Sequence, residues 1–228
     1  MSIHHHAPDD LLLAYAAGDL DEGLSLVIAT HLALCATCRE TVRQAEAAGG
    51  ALLEAIVPIA VGPEVLGNVL DRIDREVPPR RSNGHAGRRT GSRPSGTVHH
   101  DTDVIFPEPL RGYVGGDLSG LRWRSLGRGA YHVPVVRGDT TARLLRIPAG
   151  RPVPEHGHSG RELTLVLKGS FSDSRGEFRR GDLEDCDDTV HHQPIAGSEE
   201  DCICLAVTEA PLRFKSMAAR VVQPFIGI

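Results

Sequence analysis

The stretch His31-Leu32-Ala33-Leu34-Cys35-Ala36-Thr37-Cys38 reads His-x3-Cys-x2-Cys. His31 and Cys35 are four residues apart, so on a helix they share one face, and Cys38 follows one turn further on. Imidazole and thiolate are the donors from which closed tetrahedral zinc sites are built. Three ligands leave one corner open. The run His4-His5-His6 lies upstream across a short helix and offers a fourth imidazole, with the choice among the three left open. In a small helical domain, structural zinc supplies on the order of 10 kcal/mol of folding free energy.

The surrounding residues read as helices. Asp9–Ala17 forms a first helix closed by Gly18, and Asp21 is an N-cap for the next, which carries His31 and ends near Cys35. A third runs from about Ala36 to Ile56. Pro63-Glu64 opens a fourth, with proline in the first turn where its missing N–H is harmless. Val65, Leu66, Val69, Leu70 and Ile73 form the apolar stripe of that helix, a candidate partner-binding face. Residues 78–103 are rich in Gly, Ser, Arg and Pro with almost no large apolar side chain, the composition of a flexible linker.

From Val104 the texture changes. Short β-branched runs, Val133–Val136, Ala142–Ile147, Leu163–Leu167, Ile203–Val207 and Val221–Val222, alternate with Gly and Pro turns. That spacing predicts a β-sandwich or barrel. Within it lies a second metal pattern, Gly150-x5-His156-x-His158-x3-Glu162-x6-Gly169. Residues two apart on a strand share a face, so His156 and His158 point the same way, and Glu162 can approach the same centre after the Ser159-Gly160 bend. His192 is a fourth ligand candidate from a neighbouring strand, with His191 as its alternative. Three histidines and one glutamate suit zinc, iron, manganese or nickel.

The expected architecture is therefore α then β. It comprises a zinc-binding helical domain over 1–77, a linker over 78–103 and a β-barrel domain over 104–228. The net charge of −5 is uneven. Residues 1–77 hold 12 acids and 4 bases, a net of −8, whereas residues 104–228 hold 16 of each. An acidic helical domain lacks the Lys and Arg that phosphates require, which argues against direct DNA binding, and it suits a basic protein partner. No apolar run approaches the roughly 18–20 residues of a membrane span, and no secretory leader pattern opens the chain, so a cytoplasmic protein is expected. Five cysteines, two of them in the first metal cluster, do not make a disulfide framework. Cys202 and Cys204 lie on one face of a strand and are redox candidates, while Cys186 has no assigned role.

Both metal patterns resemble known families. Gly150 to Gly169 matches the first signature of the cupin superfamily. Gly181 to His192 matches the second in spacing but has Asp187 and Thr189 where Pro and Gly are usual. His31-x3-Cys35-x2-Cys38 is similar to the zinc anti-sigma domain. Together they resemble the cupin-containing anti-sigma factors of the ChrR type. Further segments carry the likeness: Ala14-Tyr15-Ala16-Ala17-Gly18, Arg122-Trp123-Arg124, Glu162-Leu163-Thr164-Leu165-Val166-Leu167 and Asp201-Cys202-Ile203-Cys204-Leu205.

The resemblance implies a helical anti-sigma domain followed by a cupin jelly roll. It implies structural zinc on His6, His31, Cys35 and Cys38, and zinc on His156, His158, Glu162 and His192. It implies that Val65, Leu66, Val69, Leu70 and Ile73 help clamp an extracytoplasmic-function sigma factor in a 1:1 complex. It further implies that singlet oxygen or a related oxidative stress releases that factor. No catalytic residue is expected. The rival reading is a metal-dependent cupin enzyme, an oxygenase or isomerase of a small molecule, with a regulatory N-terminal domain.

Overall fold

A computed structural model describes residues 2–75, 104–127, 129–210 and the backbone of 213–214. The expected linker and the run Val221–Val222 lie outside the described residues.

Four helices precede the β-rich part: α1 (Asp9–Ala17), α2 (Glu22–Leu34), α3 (Ala36–Glu54) and α4 (Val65–Arg75); α5 (Glu108–Val114) leads into it. Gly18 ends α1 in the left-handed conformation, its N–H returned to Ala14 and Tyr15 carbonyls, as a C′ glycine does. The Asp21 carboxylate caps α2, accepting the Leu24 N–H at 3.0 Å. Cys35 is the C-cap of α2 and α3 starts on the next residue, so the cysteine pair sits on a helix–helix corner.

The strands are β1 (Arg124–Gly127), β2 (Ala130–Arg137), β3 (Thr141–Ile147), β4 (His156–Gly157), β5 (Glu162–Lys168), β6 (Ser170–Asp173), β7 (Gly176–Arg179), β8 (Leu183–Cys186), β9 (His191–His192), β10 (Ile195–Ala196), β11 (Cys202–Thr208) and β12 (Arg213–Phe214). They form a six-stranded sheet, β1-β2-β3-β11-β5-β8, and two three-stranded sheets, β10-β6-β7 and β12-β4-β9. All named pairs are antiparallel.

The six-stranded sheet is covered on both sides, which explains why β5 and β11 are buried almost throughout rather than alternating. Leu163, Leu165, Leu167, Leu183, Ile203, Leu205 and Val207 face outward into a core shared with Leu11, Leu12, Leu24, Val27, Ile28 and Leu32 of α1 and α2 and Leu110 of α5. The inner face sends Ile147, Val166 and Cys202 against Phe171, Phe178 and Ala196 of the β10-β6-β7 sheet. Each fully buried Leu contributes about 1.5–3 kcal/mol.

Polar contacts reinforce the same junction. Asp21 also accepts the Thr140 hydroxyl at 2.6 Å, and a Cβ on Gly23 would lie 2.2 Å from that hydroxyl oxygen, so glycine lets α2 approach the β2–β3 turn. Contacts accordingly gather the described residues of 1–50 and 103–228 into one compact unit and those of 51–102 into a second. In the second unit α4 buries none of its residues.

Candidate metal centres

In the first centre, four donors converge. His6 Nδ1 lies 3.2 Å from Cys35 Sγ and 3.5 Å from Cys38 Sγ, and His31 Nε2 lies 3.3 Å from Cys38 Sγ. All four ligand atoms lie within 4.8 Å of one another. Zinc–sulfur and zinc–nitrogen bonds of about 2.3 and 2.0 Å in a tetrahedron put nitrogen and sulfur about 3.5 Å apart, so the cradle fits zinc. Among the three N-terminal histidines, His6 is the one in the cluster.

The β-rich half supports this centre. His31 is fully buried, and burial holds its pKa down to about 4, which keeps the imidazole neutral as a ligand must be. Its Nδ1–H donates to the Gly181 carbonyl at 3.0 Å, which fixes the tautomer and leaves Nε2 free to bind metal. The Asp182 carboxylate accepts the N–H of His4 at 2.7 Å, of His5 at 3.0 Å and of Arg179 at 2.8 Å. Burial alone would raise its pKa, but these three donors hold it below the ordinary value. Leu183 N–H donates to the His5 carbonyl at 3.0 Å. The arm that delivers His6 is thus bonded to the β7–β8 turn. Gly181, at φ +91°, belongs to that turn, and a Cβ there would lie 2.6 Å from Ile3 Cδ1. Burial also raises the unmetallated Cys38 thiol to about 11, so a cation is needed to draw out the thiolate.

In the second centre, His156 and His192 are direct partners across β4 and β9. His192 Nε2 lies 3.2 Å from His156 Nε2 and 3.3 Å from His158 Nε2. Nitrogen ligands on a zinc of about 2.0–2.1 Å bond length are separated by about 3.3 Å, so these rings also fit.

Two of the three Nδ1 atoms are backed by an acceptor, His156 by Pro154 O at 2.8 Å and His192 by Asp173 Oδ2 at 2.6 Å, whereas His158 Nδ1 lies 3.1 Å from Glu162 Oε2 without forming a hydrogen bond. Glu162 therefore stands behind His158 and outside the group whose donor atoms converge. The three imidazoles hold its carboxyl below the usual range against the opposing effect of burial. His191, the alternative to His192, is exposed, and His192 is buried.

Sequence reasoning missed the groups behind this centre. Asp173 on β6 and Glu184 on β8 both face His192 Nδ1, Glu184 at 3.5 Å. Burial pushes the Glu184 carboxyl up. Cys186 is buried beside them, its thiol pushed up by burial, with Arg175 Nη1 3.0 Å from its sulfur. Cys202 and Cys204 are both buried, and contact with Cys202 together with burial raises the Cys204 thiol well above its ordinary value. No short-range pattern marks Asp173, because its tie to His192 is a matter of sheet packing.

The ChrR cupin-like domain family matches residues 113–212. Over 233 aligned residues, covering all of both chains, the sequence is 44% identical to the anti-sigma-E factor ChrR of Cereibacter sphaeroides. The chain belongs to the ChrR family. A solved structure, Rhodobacter sphaeroides SigE in complex with the anti-sigma ChrR, matches at a TM-score of 0.73 and 41% identity, covering 91% of this chain and 99% of that one. The helical N-terminal part and the cupin-like β part of this ChrR-family chain thus have a solved counterpart. No helix among the described residues is long and apolar enough to cross a membrane.

Proposed function

We propose that this protein is an anti-sigma factor. It binds and sequesters an extracytoplasmic-function sigma factor in a 1:1 complex, in the cytoplasm, and inhibits transcription until a signal releases it. The observation that carries this reading is the 44% identity over full length to an anti-sigma-E factor. Inhibition by occlusion requires binding and no bond-making step, so the protein acts as a regulator and not as an enzyme.

The helices of residues 1–77 do the binding in this reading, with 78–103 as tether and 104–228 as the sensing cupin. Val65, Leu66, Val69, Leu70 and Ile73 are 40–67% exposed, an apolar stripe open to a partner. The net charge of −8 over residues 1–77 speeds association with a basic surface. Zinc held by His6, His31, Cys35 and Cys38 fastens the N-terminal arm to the α2–α3 corner. A second zinc is held by His156, His158 and His192, while Glu162, the fourth ligand the resemblance implies, stands behind His158. When bound, each zinc supplies a fixed cross-link, and the second also supplies a Lewis-acidic centre. Singlet oxygen or a related oxidative stress is the proposed signal, with Cys202 and Cys204 as candidate targets close to the second centre.

Co-expression of the full chain with a sigma factor from the same genome tests the reading. A stoichiometric complex that blocks transcription, and that Leu66→Asp with Leu70→Asp abolishes without loss of helix content, is the expected result. Failure of every such sigma factor to bind would overturn it. Turnover of a small molecule by the metal-loaded protein would favour the enzyme instead.

A further inference from the structure

Four consecutive residues, Gly181-Asp182-Leu183-Glu184, reach both metal centres. The Gly181 carbonyl accepts the His31 Nδ1–H at 3.0 Å, and the Asp182 carboxylate accepts the N–H groups of His4 and His5 on the arm that carries His6. Leu183 N–H donates to the His5 carbonyl at 3.0 Å. One residue further on, the Glu184 carboxylate lies 3.5 Å from His192 Nδ1, behind the second centre. Strand alternation lets one segment serve both: Leu183 joins the leucine core shared with the helices, and Glu184 points to the opposite face. From Gly181 to Glu184 there are three residue steps, at most about 10 Å of chain.

This segment has little freedom to absorb a displacement. Gly181 N–H donates to Val166 O at 2.8 Å and the Asp182 carbonyl accepts the Val166 N–H at 3.1 Å, which pins the turn to β5. Asp182 N–H donates to Arg179 O at 2.8 Å, and Arg179 N–H donates to the Asp182 carboxylate at 2.8 Å. Ile3 of the arm fills the space over Gly181. The strands before the turn run between the same two places: β7 sets Phe178 against the His5 ring at 4.2 Å, and β6 ends on Asp173, 2.6 Å from His192 Nδ1. A close-packed interior passes such a displacement on. The second centre can also generate one. The side chains of Asp173 and Glu184 are 0% and 2% exposed, and both face the single Nδ1 of His192. Withdrawing a cation from that ring leaves two desolvated carboxylates with less compensation for their mutual repulsion.

We infer that residues 181–184 couple the two metal centres, so that filling either one raises the affinity of the other. Glu184 is the end of the coupling segment at the second centre, and Gly181 and Asp182 are its end at the first. Loss of metal from the cupin is then felt at the His6 arm, without any contact between the centres themselves. The inference rests on the zinc reading of both centres and is independent of the anti-sigma reading, because its test reads metal affinity alone.

The test is chelator competition for zinc on the full-length protein. His158→Ala empties the second centre and leaves Asp173 and Glu184 in place. It should weaken zinc binding at the first centre by about 5-fold or more. Equilibrium coupling is reciprocal, so Cys38→Ser, which disables the first centre, should weaken the second by the same factor. Hydrogen exchange at the Leu183 amide, which bonds the arm, should quicken in His158→Ala. Glu184→Ala cuts the segment's side-chain hold on His192, and adding His158→Ala to it should then move the first centre by less than about twofold, within the floor of the coupling range. Should Glu184→Ala fail to fold, Glu184→Gln keeps the size and removes the charge, with the same expectation. A parent that binds fewer than two zinc ions overturns the metal reading and the coupling with it. Two zinc ions whose affinities ignore each other overturn the coupling alone. Coupling that keeps its full size in both Glu184 variants overturns the role of residues 181–184.

Discussion

His31 Nδ1 lies 3.0 Å from the carbonyl oxygen of Gly181, a residue 150 positions further along the chain. A ligand of the N-terminal metal centre is thus oriented by a turn of the β-rich half. Two positions of one turn act together, Gly181 on the ring of His31 and Asp182 on the arm that carries His6.

Removing the Asp182 carboxylate therefore reaches the metal. Asp182→Ala strips an acceptor from three backbone N–H groups, and losing such outer support typically costs about 10–100-fold in metal affinity. Competition of the full-length protein against a chromophoric chelator should show that loss at the N-terminal centre. Asp182→Asn keeps one acceptor oxygen and should lose less. Equal affinity in all three proteins would show that the turn gives the arm no support.

Chelation should loosen the chain selectively. The arm over residues 2–8 and the first turn of α3 depend on the four ligands, whereas α2 is also held by Leu24, Val27, Ile28 and Leu32 in the shared core. Hydrogen exchange after zinc removal should rise in the arm and around Cys38 and stay slow in the middle of α2. Equally fast exchange along α2 would mean that zinc, and not the apolar core, docks it.

At the second centre, Asp173 backs His192 at 2.6 Å. Asp173→Asn keeps the size but can present an amide N–H where His192 needs an acceptor. A fall in metal affinity of about 10–100-fold is expected there. Metal content after dialysis at graded chelator concentrations reads it.

Leu205 is wholly buried between α2 and the sheet. Leu205→Ala should cost about 2–5 kcal/mol, the range for a buried leucine truncated to alanine. Because helix and sheet share that core, the far-ultraviolet signal of the helices and the fluorescence of Trp123, which packs on the same core, should shift to lower urea together. A Trp123 transition that stays in place while the helix signal moves would separate the two halves.

Arg161 joins Asp10 of α1 at 2.9 Å and Asp185 of β8 at 2.7 Å. The hydrogen bond from Arg161 holds the Asp10 carboxyl below its ordinary 3.8. A depressed carboxylate stabilises the fold above its unfolded pKa and loses that contribution as pH falls through the folded value. Asp10 is two-thirds exposed, so Asp10→Asn should cost under about 1 kcal/mol near neutral pH. The difference from the parent should shrink as pH falls below 3.8 and vanish once both states are protonated. Urea melts across that range measure it.

Much of this protein is set by residues close in sequence. His31, Cys35 and Cys38 meet because a helical period and a cap at Cys35 are local geometry. The same holds for the four helices, for the strands at Val133–Val136, Ala142–Ile147, Leu163–Leu167 and Ile203–Val207, and for the shared face of His156 and His158. Tertiary structure decided the rest. His6 is placed by hydrogen bonds from Asp182, His31 is oriented by Gly181, and Asp173 and Glu184 meet His192 through strands that pack only in the closed β fold. Helix periods and caps are energies between near neighbours and leave a pattern in the sequence. The support of each metal centre is a contact between distant segments, fixed by register and by burial of the shared leucine core, and no spacing along the chain encodes it.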